Sequence, residues 1–133
     1  MKSFTEIVPE LPRYQGDICR EINLPSHETL EGCAFRIPCR GDGIELVAAL
    51  LTDLVLKRGQ EILIECSGAR SRTGPYREFP LRRLISGPKT FLPGEELARF
   101  SSFPPEIPWW KWKISANADL SSAAVTIYLV RKG

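Results

Sequence analysis

The chain is 133 residues long, with 43% hydrophobic and 26% charged side chains, the balance of a folded domain and not of a disordered segment. A chain of this length buries roughly two-thirds of its unfolded surface on folding, so it needs neither disulfides nor a metal as a staple. A net charge of +2 is too small to announce a nucleic-acid or membrane partner, and no apolar run reaches the length of a secretory leader or a membrane span. A cytoplasmic protein with reduced thiols is therefore the expectation.

The charge is unevenly placed. Residues 1–56 carry five basic and nine acidic side chains, and residues 57–133 carry thirteen basic and seven acidic ones. The basic excess is densest at Arg70, Arg72, Arg77, Arg82, Arg83 and Lys89, with Glu78 alone opposing it.

Residues 1–31 are polar, with prolines at 9, 12 and 25 and few periodic apolar positions. They read as an extended N-terminal arm packed on a domain spanning 32–133, with Ile7, Leu11 and Tyr14 as the contacts. Residues 33–39 alternate well enough for a short strand, and Pro38 confines it to a sheet edge or strand end, because proline cannot donate to a ladder.

Residues 44–65 admit two readings. One is a single helix: Asp42 as N-cap, Glu45 closing a capping box, apolar residues at 44, 47, 48, 51 and 55, and Gly59 after Lys57 and Arg58. The other is a hairpin of residues 54–56 and 61–65, with Gly59 in the left-handed position of its turn. Caps at both ends favour the helix, while residues 62–64 read as strand either way.

Seven of the eleven prolines fall within residues 67–108, which excludes a central strand there. Short strands at 78–85 and 89–92 flank Ser86-Gly87-Pro88 and are expected to pair, and residues 95–100 are expected to make one helical turn. Residues 103–108 must be extended.

From residue 110 the pattern is unambiguous. Trp110, Trp112, Ile114, Ala116, Ala118 and Leu120 share one face, with Lys111, Lys113, Ser115, Asn117 and Asp119 on the other. Residues 125–131 follow as a β-branched, nearly continuous apolar strand, and the two runs are expected to form a long C-terminal hairpin. The predicted fold is α+β or mostly-β: an antiparallel sheet of five to seven strands, sandwich or partly open barrel, with one helix near 43–57.

Catalytic signals are sparse. His27 is the one histidine, so a Cys–His pair would have to join it to Cys19, Cys33, Cys39 or Cys66. There is no nucleophile elbow and no glycine-rich phosphate loop. The cysteine spacings fit no zinc site, and no metal or cofactor is implied.

Two contact surfaces remain. Phe103, Trp109, Lys111 and Lys113 suit a partner protein or a like subunit, with Trp109 off the core-facing side of its strand. The cations at 70–83 with Lys89 suit phosphate or carboxylate groups, nucleic acid included, through guanidinium forks and backbone N–H groups. A non-catalytic binding or assembly module is the leading expectation, an anion or nucleic-acid binder the second, and a thiol enzyme the third.

Overall fold

Residue alternation organises the whole molecule, and the C-terminal tryptophans show how. Trp110, Trp112, Ile114, Ala116, Ala118 and Leu120 are all buried, and the residues between them are not. The computed structural model describes residues 20–37 and 43–131, where all the regular structure is β-strand. In chain order these strands are β1 (Arg20–Asn23), β2 (Thr29–Glu31), β3 (Phe35–Arg36), β4 (Ile44–Leu50), β5 (Leu54–Leu56) and β6 (Glu61–Ala69). They continue with β7 (Arg77–Ser86), β8 (Lys89–Phe91), β9 (Glu96–Phe100), β10 (Trp109–Ala116) and β11 (Ala124–Arg131).

A first sheet has the order β1-β11-β4-β9, and a second has β2-β10-β6-β7 with β3 also paired to β10. All of these pairings are antiparallel. One core cluster takes Leu46, Ala48, Val125, Ile127 and Leu129 from the first sheet and Ile62, Ile64, Trp110, Trp112 and Ile114 from the second. The two sheets therefore form a sandwich. Leaving aside β3 and the small β5–β8 pair, the chain changes sheet at every step except β6 to β7. That alternation is jelly-roll topology.

The mostly-β, antiparallel expectation holds, but the helix over 43–57 does not exist. Those residues form β4 and β5. Every residue of β4 is buried, because this central strand is covered on both faces. A strand covered twice reads as a continuous apolar run, which helical spacing fits equally well. The supposed C-terminal cap is a turn in which Gln60 N–H donates to the Lys57 carbonyl (3.0 Å), with Gly59 at φ 86°. The left-handed glycine of the hairpin reading is thus present, yet β5 pairs with β8 and β6 with β7 and β10. Residues 95–100 make β9 instead of a helical turn, and β7 and β8 do not pair with each other.

The C-terminal hairpin is also overturned. β10 lies in the second sheet and β11 in the first. Their connection lacks the Asn-Gly or Gly-X pair that bends a tight hairpin. It is tied instead to other segments: Asn117 Oδ1 accepts from Glu61 N–H (2.7 Å), its Nδ2 donates to the Gly59 carbonyl (2.9 Å), and Leu120 N–H donates to the Pro25 carbonyl (3.2 Å). The prolines between 67 and 108 do exclude central strands, since β7, which contains Pro80, and β9 are both edges. Of the N-terminal arm, residues 1–19 lie outside the described residues, and residues 20–31 supply β1 and β2.

Candidate binding face

The outer face of the second sheet gathers the chemistry that the sequence scatters. Side chains directly opposite across a ladder share a face, about 4.5–5.5 Å apart at Cβ. One row across β2, β10, β6 and β7 therefore reads Glu31, Lys113, Glu65, Arg82, alternating in sign from strand to strand. A second reads Thr29, Ser115, Leu63, Leu84, with the Thr29 and Ser115 hydroxyls hydrogen-bonded at 2.9 Å. A third joins Lys111, Ser67 and Glu78, and Trp109 follows opposite Ala69 and beside Arg36.

The 70–76 loop folds back to this face. Gly74, at φ 92°, donates its N–H to the Ser71 carbonyl (3.0 Å), and the Ser71 hydroxyl donates to the Gly74 carbonyl (3.0 Å). The Tyr76 hydroxyl donates to the Arg72 carbonyl at 2.7 Å, closing the loop. Arg72 then lies with Cζ 5.6 Å from the Trp109 ring centroid, and Lys111 Nζ lies 4.6 Å from that of Tyr76. Both are cation–π distances. Lys111 also pairs with Glu31 at 3.3 Å, which fixes its ammonium between an acid and an aromatic ring. Trp109, Tyr76, Lys111 and Lys113 are each half-buried, and Arg72 and Arg82 are exposed.

The candidate residues separate accordingly. Trp109, Lys111, Lys113, Arg72 and Arg82 meet on this face. Phe103 is 3% exposed and packs edge-on against Trp110 (centroids 4.9 Å), so it is core. Arg77 and Arg83 pair with Gly68 and Ile64, and so stand on the opposite side of β7, exposed at the rim of the sandwich. Arg70 is exposed just past β6. Lys89 lies on β8 in the separate pair, over the Phe91 ring at 5.0 Å. Sequence reasoning missed Tyr76, Glu31, Glu65 and Arg36 as members of the face. The alternation of Glu61, Leu63, Glu65 and Ser67 signals an outward row, but only the register brings Lys113 and Arg82 to Glu65.

The thiols and the histidine build no catalytic pair among the described residues. Cys66 is buried, and burial, aided by the nearby Glu65 charge, pushes its thiol up to about 12. Such a thiol is scarcely ionised near neutrality and is a poor nucleophile. Cys33 is exposed, and Cys19 and Cys39 lie outside the described residues. His27 is exposed with φ 52°. Next to it, the Ser121 hydroxyl and backbone N–H hold the Asp119 carboxyl below its usual range. Asp119 helps line an open cavity of about 290 Å³ at the end of the sandwich, with Asp53, Lys57, Gln60 and Ser122. No helix among the described residues is long and apolar enough to cross a membrane.

No protein-family model and no curated protein matches this sequence. Solved structures do resemble it at low identity. The VP2 subviral particle of infectious bursal disease virus is 12% identical, with TM-score 0.43 over 88% of this chain, which spans 30% of that one. PirA is 13% identical, with TM-score 0.39 over 90% of this chain and 97% of that one. TmCBM61, solved with β-1,4-galactotriose, is 16% identical, with TM-score 0.40 over 90% of this chain and 74% of that one. These likenesses are distant, and they assign this chain no role.

Proposed function

We propose that this domain is a non-catalytic binding or assembly module whose contact surface is the outer face of the second sheet, and whose partner is another protein or a like subunit. The observation that carries this reading is the convergence of Trp109 and Tyr76, each with a cation over its ring, beside the alternating row Glu31, Lys113, Glu65, Arg82. Tryptophan, tyrosine and arginine dominate interface energetics because they bury large areas at low entropic cost. A row of alternating charge favours one register of a complementary partner and penalises the others. Leu84, 58% exposed at the end of the neighbouring row, extends the face with apolar surface. Light scattering at rising concentration tests assembly with a like subunit. A multimer that Trp109→Ala converts to monomer supports it, and a monomer at every concentration removes the like subunit and leaves a different protein as the partner.

A second reading draws on the same residues. Single-stranded nucleic acid is held by aromatic platforms among cations, and Arg72, Lys111, Lys113 and Arg82 surround Trp109 and Tyr76. Here the domain would retain heparin or single-stranded RNA in a salt-dependent way. Each of those cations changed to alanine would lower the salt slope by about one if it meets a phosphate. Arg83→Ala, on the opposite side of β7, is the control and should leave the slope unchanged. A chain that heparin does not retain at low salt overturns this reading.

A further inference from the structure

The charges on the outer face of the second sheet are ordered as well as mixed. Glu31 on β2, Lys113 on β10, Glu65 on β6 and Arg82 on β7 stand opposite one another across three ladders, in one row of alternating sign. Neighbours in such a row lie about 5 Å apart at Cβ, close enough to pair sideways. They do not. Among the described residues Lys113, Glu65 and Arg82 make no ion pair, and Glu31 reaches diagonally to Lys111 instead, at 3.3 Å. Three of the four charged heads are uncommitted within the described chain. The row also has a symmetry of its own. It alternates and has an even number of members, so turning it end for end exchanges every plus for a minus. A two-fold axis parallel to the strands, midway between β10 and β6, turns it in this way when a second copy is laid face to face on the first. Glu31 then meets the partner's Arg82, Lys113 meets the partner's Glu65, and each pair occurs twice. An axis along the row would instead lay every charge on its like. An isologous interface requires such self-complementarity, and a row of one sign or of odd length could not supply it.

We propose that two copies of this chain dimerise through this face, about a two-fold axis parallel to β10 and β6, with Lys113 of each copy paired to Glu65 of the other. This rests on the reading of the face as a protein contact and names its partner, a second copy. Packed sheets lie about 10 Å apart, a gap that a lysine or arginine and a glutamate span together. Their strands cross at about 30°, which displaces the outer Glu31–Arg82 pairs more than the central ones. Lys113 and Glu65, next to the axis, therefore decide the register. Trp109 lies inside the footprint, four residues from Lys113 on the same strand. Four strands and the eight residues of β10 cover roughly 20 by 25 Å, about 500 Å² a copy, against about 800 Å² in a standard interface. The dimer is therefore a weak one that dissociates on dilution, and charge sets its geometry more than its strength.

Sedimentation equilibrium of the full chain at low salt, from micromolar to millimolar concentration, tests the pairing. A dimer should form and should weaken as salt rises. Lys113→Glu and Glu65→Lys should each raise its dissociation constant at least tenfold, because the two-fold axis makes either change count twice. An equimolar mixture of the two variants should dimerise at close to parent strength, since every central contact across the axis is then again a pair of opposite charges. The chain carrying both substitutions should do the same. Lys113→Gln and Glu65→Gln should weaken the dimer in the same direction and serve where a charge reversal unfolds the domain. A parent chain that stays monomeric throughout overturns the proposal and leaves a different protein as the partner of this face. A dimer that Trp109→Ala dissolves but the reversals leave intact also overturns it, as do variants that the mixture fails to rescue; in the first case the face remains the contact without this pairing. A dimer indifferent to Trp109→Ala and to both reversals overturns the like-subunit reading of the face as well.

Discussion

Adjacent tryptophans on one strand have opposite fates here, and the cause is the two-residue period of the backbone. Trp110 is fully buried, donates its indole N–H to the Ile107 carbonyl (2.8 Å) and meets Phe79 and Phe103 at ring distances of 5.0 and 4.9 Å. Trp109 stands on the other face under Arg72. Urea denaturation should therefore show Trp110→Ala losing about 3–5 kcal/mol and Trp109→Ala within about 1 kcal/mol of the parent, as for a change outside the core. Equal losses would contradict the assignment of the two faces. Cys66 gives a second prediction at this scale. Its thiol is raised in the folded state, so between pH 9 and 12 the unfolded chain releases a proton that the native chain keeps. The stability this contributes is present below pH 9 and lost as pH climbs toward 12. Denaturation midpoints should fall over that window, and Cys66→Ala should make the fall shallower. Alkylation at neutral pH should modify Cys33 and spare Cys66 until the chain unfolds. The face of each tryptophan is legible in the sequence, because alternation needs nothing beyond the strand itself.

Single strands carry the next level, and here local pattern misleads wherever a strand is covered twice. β4 resembled a helix because burial on both faces erased its alternation. Its one charged residue, Glu45, is 7% exposed and is neutralised across the ladder by Arg99. Arg99→Ala should leave that carboxylate under-compensated and cost about 1–2 kcal/mol, less than a fully buried pair because the arginine is partly solvated. A cost near zero in chemical denaturation would mean that solvent already screens the pair. β6 depends on Gly68, where an added Cβ would come within 2.7 Å of Ile107 and 2.9 Å of the Trp110 ring. Gly68→Ala should cost about 1–3 kcal/mol through overpacking, and it should lower the melting temperature without altering the outer face. Edge strands were easier to anticipate. Pro80, Arg82 and Arg83 mark β7 as a strand that must not be extended by a further chain, and it is the border of its sheet.

Across the whole molecule, the two sheets share one core, so neither has an apolar face it could bury alone. Unfolding should be a single transition: tryptophan fluorescence, which reports only on β10, and far-UV circular dichroism, which reports on both sheets, should give the same urea midpoint. Separate midpoints would show that one sheet survives the other. What the sequence determined by itself is what depends on near neighbours: the alternation from 110 to 120, the left-handed Gly59, the proline-marked edges and the β-rich composition. The strand partners were decided only in three dimensions. β10 and β11 are neighbours in sequence, yet each fills a central place in a different sheet, hydrogen-bonded to strands forty or more residues away. The outer face of the second sheet follows the same rule. Glu31, Lys113, Glu65 and Arg82 become a row only through register, and hydrogen bonding between distant strands, not side-chain identity along any one of them, sets that register.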